Sequence, residues 1–399
     1  MKFEFVEEKR NTYSARIKVI GVGGAGGNAI NNMIAAKLRG VEFMSANTDS
    51  QNLECSACPH KIQLGPSVTR GLGAGADPEL GRKSAEECVD EIKDAVSACD
   101  MVFITAGMGG GTGTGAAPVV AHEAREAGAL TVAVVTKPFQ FEGERRMQRA
   151  LEGIQELKKE VDTVIIIPNE RLKAIGDKAT PFKELIVRAD EVLLHAVQGI
   201  SDLILSSGFI NLDFADVKRI MEQMGTAIMG TGKASGENRA SEAAQKAINS
   251  PLLEDISISG ARGLLMNITG PSDMTMEEID EASSYIKQEV DEEAEIFWGV
   301  VFDDTMKEEV QITVIATGIE KNRYDKVTRL RDVTAEEAVD AWTVKRNGVV
   351  LDSPTFQRTE ELPGLEEIEE EGSRKKGFLK RAFSKDNLDY PTFLRAKAD

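Results

Sequence analysis

Residues 107–115 read Gly107-Met-Gly-Gly-Gly-Thr-Gly-Thr-Gly115, directly after the apolar run Met101-Val-Phe-Ile-Thr105 and before a helix-like stretch over 116–127. So dense a glycine run lets the backbone come right up to a ligand, and the N–H groups opening the following helix point outward with partial positive charge. The pattern predicts a phosphate cradle built from Gly107, Gly109, Gly110, Gly111, Thr112, Gly113, Thr114 and Gly115. A flexible linker is the competing reading, but linkers rarely sit between a buried strand and an apolar helix.

From Ile17 onward, apolar runs alternate with amphipathic ones, the mark of βαβ units on a parallel sheet. Strands are expected over 17–20, 41–46, 101–105, 130–136 and 163–168, with helices near 28–38, 79–97, 114–127 and 143–161. A long helix over 182–205 carries Leu185, Ile186, Ala189, Leu193, Ala196, Val197, Ile200 and Ile204 at helical spacing, on more than one narrow stripe. Such a helix suits a spine buried between two domains. After Gly225 the sequence predicts a second glycine-rich turn, a helix over 239–249, strands over 263–269, 294–302 and 308–317, and a helix over 276–290.

The expected class is therefore α/β. A parallel-sheet nucleotide-binding domain (16–180) follows an N-terminal extension (1–15), and a central helix (181–210) leads to a smaller α/β domain (211–318). Beyond 318 the periodicity fades into an acidic run over 360–371 and a basic one over 374–385, the composition of a disordered polyampholytic linker (319–385). Apolar residues return at 388–395 in a terminal segment (386–399), as expected of a partner-binding peptide on a tether. The basic stretch, with Phe378, Leu379 and Phe383, could touch anionic lipid, although solvated linker charge is the simpler expectation.

Composition narrows the function. With 399 residues and 41% hydrophobic content the chain can build a large core, while a formal charge of −18 argues against nucleic acid as a partner. An acidic chain that binds a nucleotide must rely on backbone dipoles and a metal ion. No apolar segment approaches the roughly 20 residues of a membrane span, and the acidic start lacks a signal-peptide core, so a cytoplasmic protein is expected. Cys55 and Cys58, near His60, are a weak zinc or redox candidate without a second ligand pair; Cys88 and Cys99 are expected as free thiols. His122 and His195 fall in helical patterns without a partner and are expected to pack or lie at the surface.

The first turn, Gly21-Val-Gly23-Gly24-Ala25-Gly26-Gly27-Asn28, fits Gly-x-Gly-x-x-Gly between a strand and a helix, with Asp49 near the place of a ribose-binding acid. Alone it suggests a dinucleotide, and an NAD(P)-dependent oxidoreductase is one reading. The second, denser loop exceeds what a pyrophosphate needs, and no His or Lys is placed as a hydride-transfer acid. A P-loop is excluded, because the nearest string, Gly230-Thr-Gly-Lys233, continues with Ala234.

Together with Asn47-Thr-Asp49, Gly71-Leu-Gly-Ala-Gly75-Ala76, Gly109-Gly-Gly-Thr-Gly-Thr-Gly115 and Asn211-Leu-Asp-Phe-Ala-Asp216, that turn resembles the FtsZ family of bacterial tubulin-like cell-division GTPases, from about residue 17 to 318. The resemblance implies a head-to-tail filament with GTP or GDP and Mg²⁺ between subunits, at the mid-cell division site on the inner face of the membrane. It implies that Gly23, Gly24, Ala25, Gly26, Gly27 and Asn28, with 107–115, Asp49, Gly75 and Ala76, surround the nucleotide. Glu142 and Arg146 would reach the ribose and phosphate side, and Asn169 and Asp190 would read guanine. An Asp suits guanine because ring N–H and amino donors share one edge, whereas adenine would leave a buried carboxylate unpaired. Two departures stand out: Ile186 where relatives place a base-stacking aromatic, and Asn32 where some carry Arg.

Asn211, Asp213 and Asp216 are the expected catalytic set. Asp213 and Asp216, spaced i, i+3 at a helix start, can project from one face, though such a pair commonly caps or complements a helix N-terminus. The family context turns the reading toward carboxylates that enter the next subunit's pocket and orient the water attacking the γ-phosphate. Residues 388–395 resemble the family's C-terminal peptide for membrane-tethering partners such as FtsA, with Tyr390 where an aliphatic is common. That segment tells against a tubulin-like DNA-segregation filament, the remaining alternative.

Overall fold

The computed structural model describes residues 15–175, 181–205, 212–222, 225–253, 260–290 and 294–318, and the backbone of 345–346 and 349–350. In chain order the elements are β1 (Ile17–Val22), α1 (Gly23–Ala35), β2 (Val41–Asn47), α2 (Ser50–Glu54), β3 (His60–Gln63), α3 (Pro66–Thr69), α4 (Pro78–Glu87), α5 (Val89–Val96), β4 (Met101–Gly107), α6 (Thr112–Glu126), β5 (Leu130–Lys137), α7 (Glu144–Glu160) and β6 (Thr163–Pro168). Then come α8 (Asn169–Ile175), α9 (Phe182–Leu205), α10 (Phe214–Glu222), β7 (Gly225–Ser235), α11 (Arg239–Ile248), β8 (Gly263–Gly270), α12 (Met276–Gln288), β9 (Glu295–Phe302) and β10 (Glu309–Thr317). Residues 1–320 form one compact unit and 321–399 another. Within the second, the described residues are the short antiparallel pair β11 (Lys345–Arg346) and β12 (Val349–Val350).

The sheet runs β3-β2-β1-β4-β5-β6-β7-β10-β8-β9. Its first six strands are parallel, and alternate residues divide cleanly between two faces. Val19, Phe103, Val132 and Val134 face the cluster that includes Leu193, Val197 and Ile200 of α9. Ile20, Val102, Ile104, Ala133 and Val135 face the cluster beneath α4, α5, α6 and α7. Strands covered on both faces must be apolar at both registers, which is why β4 reads as one continuous hydrophobic run.

Strand β7 joins the halves. It pairs with β6 in parallel over Gly225–Ala227 only, then with β10 antiparallel from Ile228 to Ser235. The helix α9 spans the join, since its cluster also takes in Met229, Leu265 and Ile315. A third core lies under α11 and α12.

Three local expectations need correction. The glycine-rich turn expected after Gly225 is the eleven-residue strand β7. Its glycines admit the neighbouring helix rather than a turn: a Cβ at Gly230 or Gly232 would collide with the Ala247 or Ala243 carbonyl of α11. The single helix over 79–97 breaks at Cys88, whose φ of −110° and ψ of 23° leave the helical region. Finally, α1 and α6 begin at Gly23 and Thr112, earlier than expected, because part of each glycine loop is already the first turn of its helix. The short strand β3 was not foreseen; of its four residues only Ile62 is buried.

Candidate functional site

In a doubly wound sheet the ligand crevice lies beyond the C-terminal strand ends where the strand order reverses. Here that point falls between β1 and β4, which pair from Ile17–Met101 to Val22–Ala106, and both glycine loops leave from those ends. Gly23 has φ +74°, and a Cβ there would stand 2.9 Å from the Gly113 nitrogen. A Cβ on Gly26 would strike the Thr105 carbonyl, one on Gly107 would lie 2.6 Å from Ala25 Cβ, and one on Gly113 would lie 2.6 Å from the Gly107 carbonyl. These glycines are the surfaces along which the two loops interlock.

Others bound open space. Gly24 has nothing nearer than 4.0 Å and Gly110 nothing within 4 Å of a Cβ position. Gly24, Ala25 and Asn28 are exposed and Gly110 and Thr112 half-exposed, whereas Gly23, Gly26, Gly27, Gly109, Gly111, Gly113, Thr114 and Gly115 are buried. Gly115 lies against α4, where a Cβ would strike the Pro78 carbonyl. Thr114 turns inward, its hydroxyl accepting from the Gly109 N–H at 2.8 Å.

A third loop, after β2, joins them. The Thr48 and Thr112 hydroxyls are 2.6 Å apart, the Ala74 N–H donates to Thr48 Oγ1 at 3.0 Å, and the Gly111 N–H donates to the Gly75 carbonyl at 3.1 Å. Gly75 and Ala76 are exposed, and Arg149 of α7 donates to the Ala76 carbonyl. Asp49 caps α2, accepting from the Gln51 and Asn52 N–H groups at 3.0 and 3.3 Å.

At the end of β5, Glu142 accepts from the Phe139 N–H at 2.8 Å and pairs with Arg146 at 3.0 Å. Beside it is a cluster that sequence reading missed. Phe139 and Phe141 stack at 5.3 Å, Phe182 meets Phe141 edge-on at 5.6 Å, and Lys173 Nζ lies 5.7 and 5.8 Å from the first two rings. Phe141 and Phe182 are 63% and 57% exposed, so two aromatic faces remain available for contact. The alternating Phe-Gln-Phe before Gly143 was the available signal.

Asn169 opens α8 directly after β6, and its Oδ1 is buried without a hydrogen-bond partner. On α9, Ile186 and Asp190 are half-buried. Burial, with Glu191 adding to it, pushes the Asp190 carboxyl up to about 6. An orphaned acceptor and a desolvated carboxyl that favours its proton both gain if donors arrive.

Asp213 is exposed and Asp216 half-buried at the start of α10; Asn211 lies outside the described residues. Near the other end of that helix, the Met221 carbonyl accepts from Thr163 Oγ1 at 2.5 Å. Thr163 begins β6, whereas Asn169 follows its last residue. With about 3.3 Å per strand residue, the two ends of β6 are ~17 Å apart.

The thiols do not gather into a site: Cys55 is exposed, Cys99 intermediate, and Cys58 and Cys88 buried. Burial raises the last three above the usual thiol range. His122, expected without a partner, lies 2.9 Å from Glu160. No helix among the described residues is long and apolar enough to cross a membrane.

A parallel sheet that reverses strand order beneath interlocked glycine loops defines a doubly wound nucleotide-binding protein. Residues 16–177 match the GTPase domain of the Tubulin/FtsZ family, and 225–320 the C-terminal domain of the FtsZ family. The cell division protein FtsZ of Bartonella bacilliformis is 56% identical over 312 residues, 78% of this chain and 53% of that protein, so the chain spans about half of that relative. Cell division protein FtsZ 2 of Rhizobium meliloti (strain 1021) is 54% identical over 313 residues, 78% of this chain and 90% of that one. The empty FtsZ dimer of M. jannaschii has a TM-score of 0.75 at 45% identity, covering 78% of this chain and 90% of that chain. This chain belongs to the FtsZ family of tubulin-like cell-division GTPases.

Proposed function

We propose that this chain binds GTP in the crevice above β1 and β4 and hydrolyses it only after a second copy docks head to tail. Gly24, Ala25, Asn28, Gly75, Ala76, Gly110 and Thr112 line the phosphate side of this pocket with backbone N–H groups and small side chains. Glu142 and Arg146 flank the ribose, and Asn169, Ile186 and Asp190 take the guanine. In this reading Asp213 and Asp216, with Asn211, belong to the next copy's pocket, where their carboxylates orient the attacking water. The observation that supports it is where α9 ends: Leu205 lies against Gly40, just before β2 begins, so the chain leaves α9 at the strand end opposite the glycine loops, and Asp213 and Asp216 follow at the start of α10, whose Met221 carbonyl accepts from Thr163 at the start of β6. A carboxylate there is far from its own cradle and reaches a phosphate by facing another subunit's. A heterologous contact that does not close yields an open filament.

Mg²⁺ fits this site as a companion of the nucleotide. Among the described residues no three His, Cys, Asp or Glu side chains gather to hold a metal, and Mg²⁺ bound chiefly by phosphate oxygens and water needs no such cage. When bound it would offset phosphate charge. Residues 388–395, outside the described residues, would recruit membrane-tethering partners such as FtsA and so bring filaments to the mid-cell membrane.

The test is light scattering and phosphate release measured together over a range of protein concentrations, with GTP, GDP or ATP and Mg²⁺. A threshold above which scattering and GTP-specific turnover rise in parallel is expected. Turnover proportional to concentration from zero would place the whole active site within one chain and overturn the reading.

A further inference from the structure

The loop after β2 approaches the crevice in an irregular path. Arg70, Gly71, Gly73 and Gly75 all have positive φ, and Leu72 is 83% exposed. Thr48 fixes the middle of this loop, its carbonyl and hydroxyl accepting from the Gly73 and Ala74 N–H groups at 3.2 and 3.0 Å. The exposed apex beyond, Gly75 and Ala76, is tied to the other glycine loop by the Gly111 N–H on the Gly75 carbonyl and to α7 by Arg149 on the Ala76 carbonyl. Arg149 is half-buried in a groove among α4, α6 and α7 that Glu79, Glu86, Glu152 and Glu156 also line. Carboxylates are the stronger partners for a guanidinium. Its bonds run to carbonyls instead: Nη1 to Ala76, and Nε to Arg145 of its own helix at 3.2 Å. That helix is itself seated on the cradle, because a Cβ on Gly109 would stand 2.6 Å from the Arg146 carbonyl. One turn of α7 therefore packs on one phosphate loop while Arg149 reaches across to another.

Resting on the GTP reading above, we propose that Arg149 is a positioning residue: its guanidinium holds the Gly75–Ala76 apex at the phosphate side of the crevice without touching the nucleotide. Backbone N–H groups bind an anion well when their loop is ordered before the ligand arrives, since ordering it on binding subtracts from affinity. Pinning a carbonyl of the apex supplies that order. The planar fork of an arginine spans two carbonyls at once, which a lysine ammonium on a flexible stem does less well. A loop ordered in this way serves the bound ground state and the transition state alike, so its loss weakens binding and spares the chemical step.

The experiment compares the full-length wild type with Arg149→Ala and Arg149→Lys in displacement of a fluorescent GDP analogue by GTP below the assembly threshold, in phosphate release at saturating GTP, and in urea unfolding without nucleotide. Arg149→Ala is expected to bind GTP about tenfold more weakly, as for one lost hydrogen bond from a charged donor. Its turnover at saturation should stay within about twofold of wild type, and its urea midpoint should be unchanged, because the side chain lies at the surface. Arg149→Lys should keep part of the affinity. Free guanidinium at sub-denaturing concentration, compared with sodium chloride at equal ionic strength, should restore GTP binding to Arg149→Ala and leave the wild type unaffected. Undiminished affinity in Arg149→Ala, a lowered urea midpoint, or a weakening that neither lysine nor guanidinium reverses would overturn the assignment. Failure of the wild type to bind GTP would instead refute the GTP reading on which it rests.

Discussion

The hydroxyls of Thr48 and Thr112 meet at 2.6 Å, tying the loop after β2 to the first residue of α6. Thr48 is fully buried and also receives the Ala74 N–H, so one side chain sets the spacing between two of the three loops at the crevice. Thr48→Val keeps the shape and orphans both partners. A loss of about 1–3 kcal/mol is expected in urea unfolding, together with weaker GDP binding. Unchanged stability would show that the loops hold register without this bridge.

Glycines of the two loops should separate by role. Gly110→Ala meets open space, so the protein should fold with a near-normal thermal midpoint while its GTP affinity falls. Gly26→Ala drives a methyl into the Thr105 carbonyl where β4 is fully buried, and should cost about 1–3 kcal/mol or more through overpacking. Circular dichroism melts alongside nucleotide titration distinguish the two.

Guanine binding should depend on pH through Asp190, whose carboxyl sits at about 6. In the proposed pocket its charged form would accept from the base, so affinity should be flat well above pH 6 and fall by about tenfold per unit once below it. Asp190→Asn should be weaker and nearly independent of pH over that range. A wild-type affinity unchanged from pH 7 to pH 5 would refute the role.

His195 on α9 is held down to about 4, first by burial and then by Lys233. A lowered histidine contributes stability that is complete above its unfolded value of about 6.5 and is lost as pH falls toward 4, on the order of 3 kcal/mol. Asp202, pushed up to about 6 chiefly by burial, acts with the opposite sign: its contribution is present below about 4 and lost as pH rises toward 6. His195→Gln should therefore lose less stability than wild type on acidification from pH 7 to 5, as read from urea midpoints. Parallel curves would mean that His195 does not titrate with unfolding.

Asp216→Asn should bind GDP as wild type does while turnover falls about 100-fold or more. Mixed with an excess of unlabelled wild type, the variant should slow the shared filament in proportion to its fraction. Removing residues 386–399 should leave both assembly and turnover intact, measured by sedimentation and phosphate release; loss of turnover would sink the tether role.

Much of this protein was legible in the sequence because the signals are local. Buried parallel strands such as β4 must be apolar at consecutive positions, and Phe182–Leu205 declares its helix through periodicity over 24 residues. The glycine strings likewise announced loops of close backbone approach, since only residues without Cβ permit the contacts of Gly23 with Gly113 and of Gly26 with Thr105. Tertiary structure alone decided which glycines bound open space and which face protein: Gly110 and Gly115 are five residues apart, yet one bounds open space and the other lies against Pro78. It also turned the glycines at 230 and 232 from a turn into a strand, because their missing side chains admit α11. Packing partners distant in sequence set these outcomes, as they did the burial that raises Asp190 and leaves the amides of Asn32 and Asn169 without partners. A sequence states which chemistry a residue can perform, whereas desolvation and close approach arise only when remote segments meet.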